Sequence, residues 1–299
     1  MGRILVGTTA WTEKTLIESG RFYPPGCKSA EERLRFYASR FPIVEVDSSY
    51  YALPSERNAE LWRERTPEGF VFDVKAFRLF TLHQTPPRAL PPDVRETLPR
   101  TGRSTVYYDD LEPEVKDDLW ERFRGALRPL GEGGRLGAVL FQFPPWFVLR
   151  QSSLDHILEC RRRMPGFRIA VELRNKSWFG DGAGRRTLDF ERERDLAHVV
   201  ADEPQGFPSS IPAVWEATSP ALAIVRLHGR NRATWTKKGL ATAAERFDYL
   251  YSKEELEQLV EPIRRLAERV EETHVLFNNC YRDHAQRNAA EFMAMIEGS

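Results

Sequence analysis

The stretch at 43–75 reads IVEVDSSYYALPSERNAELWRERTPEGFVFDVK and carries the pattern that decides the fold. Two short runs, Ile43–Asp47 and Phe70–Lys75, are rich in β-branched and aromatic residues and therefore predict strands. Between them, Ser55–Arg65 starts with a serine suited to a helix N-terminus and continues with helical spacing of charged and apolar residues. A strand, a helix and a second strand in succession predict a parallel βαβ unit.

The same alternation continues on both sides of this unit. Further strands are predicted at Ile4–Gly7, Leu136–Phe143, Arg168–Arg174, Leu196–Asp202, Leu222–Gly229 and His274–Asn278. Further helices are predicted at Ser29–Phe41, Pro113–Leu130, Ser152–Met164, Asp189–Arg194 and Lys253–Glu271. About eight such repeats in 299 residues predict an α/β fold, a single TIM-like (β/α)8 barrel. An open doubly wound sheet is the alternative, but no G-x-G-x-x-G follows the first strand.

No repeat, low-complexity tract or linker divides the chain, so residues 1–299 are predicted to form one domain. Two connections are unusually long, one from about Arg78 to Glu112 and one from about Gly229 to Tyr251. Loops of this length are typical of lids, binding loops or plain surface inserts. The barrel is therefore expected to have long βα loops.

Composition excludes several classes of protein. Lys and Arg number 44 against 44 Asp and Glu, so a globally basic nucleic-acid binder is excluded, whereas a local basic patch is not. The cysteines Cys27, Cys160 and Cys280 have no C-x-x-C spacing, which argues against a disulfide framework and a thiolate zinc site. The longest apolar run, near Leu136–Phe143, is too short to cross a bilayer. We expect a cytoplasmic protein without a membrane partner.

Strand alternation places polar side chains at the C-terminal ends of the strands, inside the barrel. The residues so assigned are Thr8, Asp47, Lys75, Gln142, Glu172, Arg174, Asp202, Arg226, His228 and Asn278. This is the face at which barrel enzymes carry their chemistry. Glu45 and Asp73 have the same parity but lie deeper, and we expect them to pair with other buried charges.

A set of short motifs, in this order, resembles the YecE-like family, the bacterial and archaeal domain of unknown function 72. The motifs are GTTAW (7–11), FYP (22–24), EVDSSYY (45–51), LP (53–54), FDVK (72–75), QFPP (142–145), ELR (172–174), SW (177–178), RLHG (226–229), YLY (249–251), FNN (277–279) and NA (288–289). The resemblance implies a TIM-barrel-like fold and a family with no firmly assigned reaction. A comparison of that family with endonuclease IV and xylose isomerase barrels implies nucleic-acid binding as one role.

The chain departs from the family pattern at four positions. The family usually has Asn where Asp47 stands and His where Asn175 stands. It usually has His and Gly where Cys280 and Asp283 stand. Asp47 therefore adds a negative charge to the predicted mouth, and two family histidines are missing.

The three cations Lys75, Arg174 and Arg226 favour an anion at the mouth, since Arg binds phosphate or carboxylate bidentately and Lys binds as a point charge. A divalent metal on Asp47, Glu172, Asp202 and His228 is the alternative. The cations would repel such an ion, so no metal and no other cofactor is predicted.

Proton transfer is assigned to Glu172, beside Arg174, with Asp202 as its partner and His228 as the alternative proton carrier. Paired carboxylates serve hydrolysis of phosphoester or glycosidic bonds. Lys75 has the simpler role of a phosphate clamp, with a Schiff base as the alternative.

Aromatic residues crowd the same predicted strand ends, among them Trp11, Tyr50 and Trp178. Such rings can stack on bases or sugars, or can simply pack the loops onto the barrel. The expected partner is a small anionic ligand or single-stranded nucleic acid. Two functions stay open: a hydrolase-like enzyme acting on a phosphate-bearing nucleotide, nucleic acid or sugar, and a non-catalytic module that binds single-stranded nucleic acid or a nucleotide.

Overall fold

The computed structural model contains a closed barrel of eight parallel strands that pair in chain order. It describes residues 1–98, 104–180, 182–240 and 242–298, without the side chain of residue 243. The strands are β1 (Arg3–Thr8), β2 (Ile43–Val46), β3 (Val71–Lys75), β4 (Leu136–Gln142), β5 (Ile169–Glu172), β6 (Leu196–Asp202), β7 (Leu222–Leu227) and β8 (Glu272–Phe277). The barrel closes where β8 pairs with β1. The predicted TIM-like α/β barrel is confirmed.

Helices surround the barrel. They are α1 (Lys14–Ser19), α2 (Ala30–Ala38), α3 (Ser48–Tyr51), α4 (Glu56–Glu64), α5 (Pro92–Thr97), α6 (Pro113–Glu132), α7 (Gln151–Arg163), α8 (Ala183–Glu193), α9 (Lys253–Ala267) and α10 (His284–Glu297). One βα unit is irregular, because the connection from β6 to β7, residues 203–221, contains no helix.

Serine caps explain why three helices begin where the sequence predicts. The side chains of Ser29, Ser55 and Ser252 accept hydrogen bonds from backbone N–H groups in the first turns of α2, α4 and α9. Each such cap contributes about 1 kcal/mol. By contrast, α8 starts after Gly182 and α10 after Asp283, without a side-chain cap. The sequence pattern therefore finds only the second half of α8 and misses α10.

The barrel interior is apolar at its N-terminal end and charged above. Leu5, Ile43, Leu222 and Leu276 belong to the apolar cluster inside the barrel. A second, larger cluster lies between the strands and the helices. Most of the inward polar side chains lie toward the C-terminal ends of the strands, although the inward His274 precedes the apolar Leu276 on β8.

A buried charge pair lies between these levels. His274 Nδ1 is 2.9 Å from an Asp73 carboxylate oxygen, and both side chains are fully buried. Gly137 adjoins them at an irregularity in the pairing of β3 with β4, and a Cβ there would clash with Asp73 and His274. The expected pairing of Asp73 is thus confirmed, and the glycine makes room for it.

The two long connections differ in the bonds that organise them. The first contains α5 and a bridge between Thr85 and Val106, and its residues 99–103 lie outside the described ranges. In the second, the Tyr251 hydroxyl accepts a hydrogen bond of 2.9 Å from the backbone N–H of Gly229. This bond ties the two ends of the second connection together.

Candidate active site

An ion network fills the barrel below its mouth. Arg226 donates two hydrogen bonds to Glu45, of 2.9 and 2.7 Å, and one of 2.5 Å to Glu172 Oε2. All three side chains are at most 1% exposed. Glu45 on β2, Glu172 on β5 and Arg226 on β7 meet because their side chains all point inward at the same level of the barrel. The expected pairing of Glu45 is confirmed, and Arg226 is its partner.

Glu172 is the hub of this network. Its Oε1 accepts hydrogen bonds from Gln142 at 2.7 Å, Arg174 at 3.3 Å and His228 at 3.1 Å. Burial raises the pKa of this carboxyl, but Arg226, His228 and Arg174 together hold the pKa well below its usual range. Glu172 is therefore an ionised carboxylate whose two oxygens are already engaged.

His228 is held as a neutral imidazole in one tautomer. Asn278 Nδ2 lies 2.7 Å from His228 Nδ1 and donates to it, so the ring proton sits on Nε2 and is donated to Glu172. Asn278 is oriented by Thr9, whose hydroxyl donates to the amide oxygen at 2.7 Å. Burial, aided by the charges of Arg226 and Arg174, lowers the pKa of His228 to about 4 against the attraction of Glu172.

Arg174 extends the network toward the opening. Its Nη2 lies 3.2 Å from Glu203, which also accepts a hydrogen bond of 2.8 Å from the Ile211 backbone. Burial raises the pKa of Glu203 to about 7, and it does the same for Glu45. Arg174 and Arg226 thus face three carboxyls, Glu45, Glu172 and Glu203, and burial disfavours the charged form of Glu45 and Glu203.

The rim above the network is open to solvent. Lys75 Nζ donates to Asp47 Oδ1 at 2.8 Å, and the two side chains are 11% and 30% exposed. The ammonium also lies 4.6 Å from the ring centroid of Tyr50, a cation–π contact. Lys75 and Asp47 thus combine partial exposure with a charge-assisted hydrogen bond.

Aromatic rings continue the rim. The His83 ring lies 5.2 Å from Tyr50 and 5.7 Å from Trp146, edge to face in both cases. Trp146 is 59% exposed and Tyr51 is 53% exposed. Arg78 lies over Tyr50 at 5.2 Å. The result is a cationic and aromatic edge on one side of the mouth.

Two predicted site residues point the wrong way. Thr8 faces the helix layer, where its backbone N–H donates to the Tyr37 hydroxyl, and Thr9 occupies the inward position. Asp202 also faces outward, and Glu203 takes its place beside Arg174. The inward orientation expected for Thr8 and Asp202 is wrong, because β1 and β6 are apolar on both faces and alternation alone does not fix their parity.

Asp202 instead anchors the second long connection. Its carboxylate accepts a hydrogen bond of 2.6 Å from the Tyr251 hydroxyl and is bound bidentately by Arg230. Arg230 in turn donates to Glu255 at 3.1 Å. Asp202 therefore holds the loop after β7 in place, and it does not approach Glu172 as a second carboxylate would have to.

Two of the predicted aromatic residues pack the loops. Trp178 is fully buried, and its indole N–H donates to the Phe147 carbonyl at 2.7 Å. Trp11 is 8% exposed and lies 6.1 Å from the ring of Trp62 on α4. Both tryptophans are therefore buried, whereas the Tyr50 ring contacts the cations Lys75 and Arg78.

The remaining predicted residues do converge. They are Asp47, Tyr50, Lys75, Gln142, Glu172, Arg174, Arg226, His228 and Asn278. Sequence reasoning missed Thr9, Arg78, His83 and Glu203. Thr9 and Glu203 each lie one residue after a position that was assigned inward, so the opposite alternation of β1 and β6 would have found them. Arg78 and His83 belong to a loop that no periodic pattern describes.

The described residues form neither a metal-ligand cluster nor a membrane-spanning helix. Within those ranges, no group of three or more His, Cys, Asp or Glu side chains is arranged to hold a metal ion. Nor is any described helix long and apolar enough to cross a membrane.

Residues 5–299 match the family model described as "Protein of unknown function DUF72". "UPF0759 protein YunF" of Bacillus subtilis (strain 168) is 33% identical over 296 residues, which are 98% of this chain and 95% of that protein. "UPF0759 protein YecE" of Escherichia coli (strain K12) is 27% identical over 202 residues, which are 67% of this chain and 59% of that protein.

Crystal structures of two DUF72 family proteins are also similar. The protein from Thermotoga maritima MSB8 is 32% identical, with a TM-score of 0.77 over 99% of both chains. The protein from Enterococcus faecalis V583 is 25% identical, with a TM-score of 0.80 over 99% of this chain and 96% of the other. These structures and this chain therefore share the barrel along their whole length.

Proposed function

The chain belongs to the DUF72 family, and we propose that it is an enzyme acting on a phosphate-bearing anionic substrate at the C-terminal mouth of its barrel. The proposed chemistry is hydrolase-like. The substrate class is a nucleotide, a nucleic-acid end or a sugar phosphate, because each combines a phosphate with a ring that can contact the aromatic rim.

The observation that carries this proposal is the buried network of Glu45, Arg226 and Glu172 directly beneath the opening. Desolvating three charges is costly, and well-packed apolar residues at such positions are often equally stable or more so. The network therefore has a use other than stability. It orients Arg174 and, through Glu172, the neutral His228 at the floor of the mouth.

Three cations supply the anion-binding part of the site. Lys75 is the last residue of β3, and Arg174 lies two residues after the end of β5, so both lie at the mouth. Arg78 follows Lys75 by three residues. Lys75 and Arg174 are each held by a carboxylate, which fixes their positions before a ligand arrives. Such preorganised cations favour a phosphoryl group, whose charge is spread over several oxygens.

The geometry supports Asp47 as the proton-transfer group in preference to Glu172. Glu172 is fully buried and has a depressed pKa, so it is a weak base, and we assign it and His228 to positioning. Asp47 is 30% exposed and, among the described residues, its Oδ2 has no hydrogen-bond partner.

In the proposed step, a water molecule attacks phosphorus and gives its proton to Asp47. The bond from phosphorus to the leaving oxygen breaks, and the Lys75 ammonium protonates that oxygen. A proton then returns from Asp47 to Lys75 across their 2.8 Å hydrogen bond. The net reaction consumes one water and restores both residues.

A second candidate, the non-catalytic module for single-stranded nucleic acid or a nucleotide, is favoured by one observation. Trp146 and Tyr51 are more than half exposed beside the cationic rim. Exposed rings next to cations are the usual means of stacking bases without sequence preference. In this version the same rim binds, and no bond is cleaved.

The test of the proposed function is Asp47→Asn, assayed with a panel of nitrophenyl phosphate mono- and diesters and nucleotides. The amide oxygen can still accept from Lys75, so we expect unchanged binding and a loss of turnover of about 100-fold or more. The matched control is Asp118→Asn, which alters an exposed carboxylate paired with Arg122 on α6. That variant should turn over at the wild-type rate.

Equal turnover by wild type and Asp47→Asn would contradict the catalytic role of Asp47. If no ester is cleaved but nucleotides bind, and binding is lost in Trp146→Ala, the non-catalytic module replaces the enzyme.

A further inference from the structure

Three charged or titratable side chains pack on one ring at the rim. Around the centroid of Tyr50, Lys75 Nζ lies at 4.6 Å, Arg78 Cζ at 5.2 Å and the His83 ring at 5.2 Å. The sequence separates them by up to eight positions, and the chain between them turns sharply after β3. Tyr50 therefore gathers two cations and an imidazole at one place.

Backbone bonds hold this turn in position. The Arg78 N–H donates to the Tyr50 carbonyl at 3.1 Å, and the His83 N–H donates to the Arg78 carbonyl at 3.0 Å. Leu82, directly before His83, has a φ of 61°, a left-handed conformation that a leucine rarely adopts. The fold therefore maintains an unfavourable backbone conformation at the residue that precedes the imidazole.

The imidazole is also set in one tautomer. The Thr81 hydroxyl donates its single proton to the Arg78 carbonyl at 3.2 Å, so it accepts from His83 Nδ1, which lies 2.9 Å away. Nε2 then carries the lone pair. Its ring edge lies between Tyr50 and Trp146, at the half-exposed part of the rim.

The charge around His83 is not fully balanced. Lys75 is paired with Asp47, and Arg174 is paired with Glu172 and Glu203. Arg78 has no carboxylate within 4 Å among the described residues, and its buried Nε has no hydrogen-bond partner there. Burial and the charges of Lys75, Arg78 and Arg174 lower the pKa of His83 to about 3.

We propose that His83 is a proton-linked ligand of the anion: when a tetrahedral dianion binds at Lys75, Arg78 and Arg174, His83 Nε2 takes up one proton and donates a hydrogen bond to it. The inference rests on the proposed anion site and specifies the ligand as a dianion. A dianion bound among these cations makes the electrostatic potential at His83 more negative, which raises the pKa of His83 and favours the imidazolium. A monoanion raises this pKa by a smaller amount.

Linkage gives the pH dependence. Because the complex binds one proton more than the free protein, affinity falls about tenfold for each unit of rising pH between the free and bound pKa values of His83. Above the bound pKa, affinity no longer changes. The site therefore binds a phosphate group most tightly when that group is a dianion and the medium is mildly acidic.

The experiment measures binding of inorganic sulfate by titration calorimetry from about pH 5 to about pH 8. Sulfate stays a dianion over this range, so its own titration does not contribute. Each pH is measured in two buffers of different ionisation enthalpy, which counts the protons taken up. Wild type is compared with His83→Gln, whose side chain can donate a hydrogen bond but cannot titrate.

We expect wild type to take up close to one proton at the acidic end and to show the tenfold slope, and His83→Gln to show neither. If sulfate binds both proteins with the same slope and proton count, the role of His83 is overturned and the proposed anion site stands. If sulfate binds neither protein, the anion site itself is overturned, and the linkage with it.

A second measurement does not depend on the substitution. The imidazole nitrogen signals of His83 in wild type report its protonation directly by nuclear magnetic resonance. Saturating sulfate should convert them from the neutral tautomer protonated on Nδ1 to the imidazolium. An unchanged neutral ring in the complex would overturn the proposal even if the variant failed to fold.

Discussion

The buried charges and the rim charges of this barrel come from neighbouring positions on the same strands. Glu45 and Asp47 are two residues apart at the end of β2, as are Asp73 and Lys75 on β3. The lower member of each pair is fully buried and bonded to another charge, while the upper member is partly exposed. A step of two residues along a strand, about 7 Å, thus separates structural charges from charges available to a ligand.

The difference follows from solvation. A charge with no water around it must be matched by bonds from the protein, which fixes its geometry and removes its freedom to react. A rim charge keeps part of its hydration and can exchange it for a ligand. We therefore expect the lower layer to position side chains and the upper layer to bind a ligand. Three predictions test this division.

The largest expected effect is in the lower layer. Arg226→Met leaves Glu45 and Glu172 buried without their shared partner. We expect a loss of about 3–5 kcal/mol in the free energy of unfolding, measured by urea denaturation near pH 7. The triple variant Glu45→Leu, Arg226→Met, Glu172→Leu should recover most of that loss. If Arg226→Met is as stable as wild type, Arg226 does not stabilise the two buried carboxylates.

The buried pair of His274 and Asp73, which lies below the Arg226 network, predicts a pH dependence of the free energy of unfolding. Burial lowers the pKa of His274, but the charges of Asp73 and Glu272 outweigh burial and raise this pKa to about 9. The value in the unfolded chain is about 6.5. Because the folded pKa is the higher one, this contribution is fully present below about pH 6.5 and is lost as pH rises through about 9. Its size is about 3 kcal/mol.

The measurement is urea denaturation at about pH 6 and about pH 9.5. Wild type should lose this increment between the two pH values. The double variant Asp73→Asn, His274→Gln, which replaces the ion pair by amides, should lose less. An identical loss in both proteins would place the titrating group elsewhere.

The smallest expected effect on stability is at the rim. Lys75→Met leaves Asp47 with 30% of its side chain exposed and therefore still hydrated. We expect the free energy of unfolding to change by less than about 1 kcal/mol, and sulfate affinity to fall by about tenfold or more. A large loss of stability with unchanged anion affinity would invert the division between the two layers.

Strand parity predicted the side-chain orientation correctly where one face of a strand was clearly apolar. On β3 the large residues Phe72 and Val74 face the helices, so Asp73 and Lys75 are assigned inward correctly. On β6 valines occur on both faces, and the parity of Asp202 is wrong by one residue. The error is physical, since a strand buried on both sides carries no alternation.

The sequence by itself determined the barrel, its strands and the charged character of its C-terminal end, because these depend on local periodicity and on the order of elements. Only the tertiary structure decided which charges neutralise one another, since Glu45 and Arg226 are 181 positions apart. It also placed His83 on Tyr50 beside Arg78, in a loop whose course depends on backbone bonds to distant residues. Periodicity assigns a side chain to a face, whereas burial and pairing, which depend on the closed barrel, decide its charge state.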